Sequence, residues 1–212
     1  MVLKWIGRAL IAAGVAVLLF VAYQLLGTNL IAKQSQKQLE AELRESFPEP
    51  APSPSPGASP SPSPTPSPAP APPPDLGSGI AIIEAPSIGL RWVVVEGVGV
   101  ADLKKGPGHV PGTALPGDGG NMVISGHRTT YGAPFYRLDE LADGAMIRLI
   151  SARGTFEYAV TEQRIVAPTE VSVLAPTQDT RLTLTTCNPK FSAKQRLIIV
   201  AGLVSSAAAP AA

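Results

Sequence analysis

The sequence predicts an all-β barrel or sandwich, carried on an N-terminal membrane anchor. Three observations predict it. About seven short runs rich in β-branched residues crowd the stretch from Gly79 to Val204, most of them separated by Gly/Pro/Asp-rich turns. A proline-saturated segment cuts that stretch off from everything before it. Near the N-terminus lies a single apolar segment long enough to cross a bilayer. The formal net charge is only +1, with no basic cluster, which excludes a nucleic-acid partner.

The first element is "MVLKWIGRALIAAGVAVLLFVAYQLLG", residues 1–27. The uncharged part from Ala9 to Gly27 covers about 28 Å as a helix, close to the thickness of the hydrocarbon core. A cleaved secretory signal has a shorter apolar region and a small-residue cleavage site. "AYQLLGTNLIAKQ" offers no such site, so an uncleaved anchor is expected. Lys4 and Arg8 orient the N-terminus to the cytoplasm and the rest of the chain outside, giving a single-pass cell-membrane protein.

Residues 28–47 place Ile31, Leu39, Leu43 and Phe47 mostly four apart. They read either as a juxtamembrane amphipathic helix, with Thr28 or Asn29 as its cap, or as a polar stalk. Residues 48–78 form a Pro/Ser-rich linker. With proline at nearly every second position, it lacks the N–H donors for helix or sheet. In polyproline II the stretch from Pro48 to Pro74 would reach at most about 84 Å, the property of a spacer that holds a domain away from a membrane.

Residues 79–205 are the foldable unit, followed by a disordered tail at 206–212. The strand runs are "IAIIEAPSIGL", "RWVVVEGV", "NMVISGH", "AMIRLIS", "TFEYAVTEQRIVA", "RLTLTTC" and "QRLIIVAGLV". "APFYRLDELAD" is the one helix candidate within this unit.

The chain's single cysteine, Cys187, ends "RLTLTTC". A lone thiol forms no internal disulfide, so it is either an inert core residue or a nucleophile. Strand parity separates the two. Leu182 and Leu184 point to one face and Thr183, Thr185 and Cys187 to the other. If the leucines face the interior, the thiol lies on the outer face at a strand terminus.

Two histidines exist: His127 follows a strand in "VISGHRTTYG", and His109 sits in the turn "KKGPGHVPGT". With one cysteine and no shared short spacing they make no zinc site. Arg196 opens the strand after Cys187, and the intervening length suits an antiparallel connection that returns it beside the thiol, although spacing alone reads equally as a surface charge.

"LTLTTCNPKFSAKQRLIIV", "GNMVISGHRTTYGAPFYRLDEL" and "GPGHVPGTALPG" together resemble the sortases, cysteine transpeptidases of bacterial cell surfaces. The resemblance spans essentially Gly79 to Val204 and is strongest to class E, with class D next. It implies an eight-stranded β-barrel with one or two short helices and the active site in a surface groove. Cys187 matches the nucleophile, His127 the catalytic histidine and Arg196 the catalytic arginine. His109 has no catalytic counterpart and is expected to pack a loop. Val110, Tyr131, Thr185, Thr186 and Asn188 are expected to line the substrate groove.

The implied reaction cleaves a C-terminal sorting signal of the L-P-x-T-G or L-A-x-T-G type between Thr and Gly. The acyl group then passes to an amine of cell wall or pilin. Class E relatives often carry an aromatic residue where this chain has Val110, which leaves both signal types open. No metal or organic cofactor is required.

The chemistry needs a thiolate, an acid for the leaving amine and a group for the oxyanion. At ordinary pKa values about 3% of a thiol is thiolate at pH 7 and about a quarter of an imidazole is protonated. If the two are independent, the competent pair is under about 1% of molecules. Pairing with His127 and Arg196 would raise that fraction. Rival readings are a non-catalytic surface β-domain on a stalk, an L,D-transpeptidase-like crosslinking enzyme, and a hydrolase using the same thioester. The second tends to carry His-Gly before its cysteine, where this chain has Thr185-Thr186.

Overall fold

The computed structural model describes residues 2–47 and 73–208. Most of the expected linker, residues 48–72, lies outside the described residues, as do 209–212. Eight strands close a barrel: β1 (Gly79–Ala85), β2 (Leu90–Glu96), β3 (Gly108–His109), β4 (Asn121–Ser125), β5 (Met146–Ser151), β6 (Gly154–Val166), β7 (Arg181–Asn188) and β8 (Gln195–Ala208). Their order around the barrel is β1-β2-β3-β4-β7-β8-β6-β5. The β2–β3 and β4–β7 pairs are parallel and the other pairs antiparallel.

All seven predicted runs are strands. The eighth, β3, is two residues long, too short to produce an alternation. Period-two patterning fills the interior. Leu182 and Leu184 of β7 and Leu197, Ile199 and Ala201 of β8 point inward with Ile83, Ile124, Leu149 and Tyr158. Ile198 and Val200, on the outer face of β8, pack under Val173 instead.

The helices differ from expectation. "APFYRLDELAD" yields only a 3₁₀ turn, Leu138–Glu140. Ala133 at φ 48° and the following Pro134 prevent a regular start, and Leu141 is already extended. Phe135, Leu138 and Leu141 are buried at a spacing of three, which a tight turn satisfies. A four-residue helix, α2 (Val100–Leu103), forms where none was expected.

Thr28 and Asn29 do not cap a second helix, because α1 runs unbroken from Val2 to Glu45. Its segment Lys4–Val21 has a mean hydropathy of 1.8 and is not buried by any of the described residues, which makes it a candidate span. Ile31 is not on the docking face and is exposed; Ala32, Leu39 and Leu43 are buried. Leu39 and Leu43 sit on Ile82, Val93 and Val95, with Phe47 packed beside them. Gln36 shares their stripe: its side chain accepts from the Val93 amide at 2.7 Å and donates to the carbonyls of Val93 and Lys105, each at 3.0 Å. A glutamine thus completes a strand edge that β3 is too short to cover. The C-terminal end also differs, since residues 206–208 are not a tail: β8 stays paired with β6 as far as Gly154↔Ala208.

Candidate active site

Two strand pairings build the site. β7 and β8 are antiparallel, and their register sets Cys187 directly opposite Arg196. β4 runs parallel to β7, with Ser125 opposite Thr185. Beyond that pair the Gly126 amide donates to the Thr185 carbonyl at 3.0 Å, and the Thr186 hydroxyl donates to the Gly126 carbonyl at 2.7 Å. The next residue, His127, is thereby carried to the end of β7 that bears Cys187. Only glycine fits at 126, where a Cβ would stand 2.5 Å from the ring of Phe135.

His127 and Cys187 line one hollow of about 340 Å³, together with Arg128, Phe191 and Ser192. Cys187 is partly exposed, as strand parity required, and is a free thiol. Val110, Thr185 and Arg196 line a second hollow of about 310 Å³, whose other walls include Val166, Val173 and Ile198. Thr185 and Cys187 are two residues apart on β7, so the hollows are neighbours, about 7 Å apart along the strand.

Arg196 is engaged by its own loop: Nη1 donates to the carbonyls of Ala193 and Gln195, both at 3.0 Å. Among the described residues no hydrogen bond joins Cys187 to His127 or to Arg196. Burial pushes the His127 imidazole below its ordinary pKa, so the neutral ring dominates at pH 7.

The expected groove residues divide. Val110 and Thr185 line the second hollow. Thr186 does not: it is buried, and its hydroxyl is committed to Gly126. Tyr131 stacks on His127 with ring centroids 5.1 Å apart, which makes it a support for the imidazole. Asn188 donates to the Gln195 side chain at 3.2 Å and so ties the two strands at the mouth of their loop. His109 packs a loop, as expected. It is buried, with Nδ1 2.7 Å from Glu96 and Nε2 near the Thr113 hydroxyl and the Ala114 carbonyl.

Sequence reasoning missed Arg128. Its side chain is buried, Nε donates to the Tyr136 carbonyl at 3.0 Å, and Nη2 pairs with Asp139 at 2.9 Å. Asp139 also receives Lys190 from the β7–β8 loop at 3.6 Å, so one carboxylate links both walls of the hollow. The only signal in the sequence is that Arg128 directly follows His127. Among the described residues no cluster of metal-ligating side chains occurs.

The Sortase domain family profile matches residues 83–204. Sortase D of Bacillus subtilis is 33% identical over 187 residues, which cover 88% of this chain and 89% of that protein. Sortase SrtE1 of Streptomyces coelicolor is 30% identical over 92% of this chain and 55% of its own length. A solved structure of sortase E1 from Streptomyces coelicolor, with a tripeptide in the active site, superposes with a TM-score of 0.58 at 29% identity. The superposition covers 62% of this chain and 91% of that one.

Proposed function

The chain belongs to the sortase family and is a cysteine transpeptidase by type; from that premise we propose that Cys187, His127 and Arg196 carry out the transfer. Cys187 attacks the threonyl carbonyl of a Thr–Gly bond. His127 gives a proton to the departing glycine amine, leaving a thioester on Cys187. An amine acceptor then attacks the thioester, His127 takes its proton, and the thiolate leaves. Arg196, always charged, offers N–H donors to the oxyanion or to the peptide backbone.

The observation that carries this reading is a strand register and a shared hollow that associate Cys187 with Arg196 and with His127. Cys187 opposes Arg196 across β7–β8, and His127 shares the hollow of Cys187. The apolar second hollow, one step along β7, suits the leading Leu-Pro or Leu-Ala of a sorting signal. Its substrates would be surface proteins bearing such a signal, and the acceptor an amine of cell wall or pilin. The candidate span Lys4–Val21 supports a membrane-anchored enzyme with its barrel outside the cell.

The test incubates the full chain with L-P-x-T-G and L-A-x-T-G peptides and an amine acceptor, and follows the ligated product by mass. Cys187→Ala is expected to abolish both cleavage and transfer. Near-normal transfer by that variant would overturn the assignment.

A further inference from the structure

The docked helix gives the barrel a fixed orientation relative to the span. Past Val21, α1 continues without a break to Asn29, whose side-chain carbonyl accepts from the Gly132 amide at 2.8 Å. The uncharged stretch of α1 ends at Gly27, and Asn29 lies two residues, about 3 Å, beyond it. The headgroup layer on each side of a bilayer is about 5–8 Å thick. With that whole stretch in the hydrocarbon core, Asn29 and the Gly132 it holds stand at the lipid headgroups, and any tilt of α1 lowers them further. Gly132 also lies against Trp92, where a Cβ would meet the ring at 2.4 Å. At its far end α1 packs Leu39 and Leu43 beside Gly79, the β1 residue paired with Val95. β2 thus runs from a membrane-near end at Leu90–Trp92 to a membrane-far end at Val95–Glu96.

Strand directions carry this polarity around the barrel. β3 is parallel to β2, β4 antiparallel to β3, and β7 parallel to β4. The ends of β4 and β7 that bear His127 and Cys187 are therefore the membrane-near ends. So is the β7–β8 loop, where Phe191 is 81% exposed at a φ of 66° and lines the same hollow as Cys187. Lys190 and Lys194 flank it. Lys190 is engaged by Asp139 at 3.6 Å and lies over the Tyr136 ring, whereas Lys194 is exposed. A solvent-facing aromatic near an exposed lysine is the chemistry of a bilayer interface, where rings enter the headgroup layer and ammonium groups reach anionic lipid.

We propose that the bilayer surface is the docking partner of the Cys187 end of the barrel, with Phe191 seated among the headgroups. The proposal rests on reading α1 as the membrane anchor. The lipid then forms one boundary of the active-site mouth, and the peptide enters along the membrane plane.

The experiment uses the full chain carrying Cys187→Ala, with one new cysteine at Val17, Gly119 or Phe191, all exposed positions. Each is labelled with an environment-sensitive fluorophore and reconstituted into phosphatidylcholine–phosphatidylglycerol vesicles containing nitroxide lipids. Headgroup nitroxides should remove most of the emission at 191 and leave 119, at the opposite end of β4, unchanged. Acyl-chain nitroxides should remove it at 17. Quenching at 17 with no more at 191 than at 119 overturns the orientation while the anchor stands. No quenching at 17 overturns the anchor and the proposal with it.

Discussion

At the residue scale, the proposed chemistry rests on His127 and Arg196. Desolvation lowers the imidazole pKa of His127, so its imidazolium form is scarcer than the ordinary value implies. The acid limb of kcat/KM reports the lower of the two pKa values. Its midpoint is expected below about 6.5, with activity falling as pH drops through it. A midpoint above that value in the free enzyme would contradict the burial of the ring. Arg196→Lys keeps the charge and loses the planar fork. A lost charged hydrogen bond of about 1.5–3 kcal/mol corresponds to about a 10- to 150-fold drop in kcat/KM. Single-turnover acylation measures it, and an unchanged rate would remove Arg196 from the transition state. His109 is the contrasting histidine: its ring nitrogens both face partners, and with Glu96 it forms a closed buried pair. His109→Ala leaves that carboxyl alone in the interior. It is expected to cost about 3–5 kcal/mol in denaturant unfolding, whereas a surface histidine would cost almost nothing.

Among the elements, α1 and the 127–139 loop are the parts whose role patterning conceals. Gln36 supplies hydrogen bonds to the β2 edge at Val93, a polar residue in the middle of an apolar docking stripe. Gln36→Ala is expected to speed hydrogen exchange of the Val93 amide by about tenfold or more, from the loss of about 1–3 kcal/mol. Equal protection in both proteins would mean that α1 does not hold that edge. The expected stripe through Ile31 failed because a helix docked on a sheet edge satisfies backbone groups as well as burying side chains. The predicted helix at 133–143 failed for a related reason, since a buried residue every third position also fits a tight turn. The strands were legible throughout because their alternation is local: Leu182 and Leu184 inward placed Cys187 outward before any contact was known.

On the scale of the whole molecule, the described flanks of the proline-rich stretch lie close together: Ser46 and Pro74 line one hollow with Leu43 and Gly79. Under the proposed anchoring, α1 rather than that stretch sets the height of the barrel above the membrane. Removing about half of the segment is expected to leave transfer by the membrane-bound chain unchanged. Halving a loop alters its closure entropy by only about 0.6 kcal/mol. A steep fall in activity would support the spacer reading.

Local pattern in the sequence was enough for the candidate span, the seven longer strands and the face on which the lone thiol lies, because each depends on periodicity within a few residues. The pairing of Cys187 with Arg196 was also within its reach, through the length of one antiparallel connection. Spacing left open which histidine accompanies the thiol, and the tertiary structure puts His127 in the hollow of Cys187. His127 arrives through the parallel β4–β7 pair, joining residues about 60 positions apart, and His109 is diverted to Glu96 in the interior. Non-local pairing leaves no trace in local alternation, and the docking of α1 through Gln36 and Asn29 leaves none either.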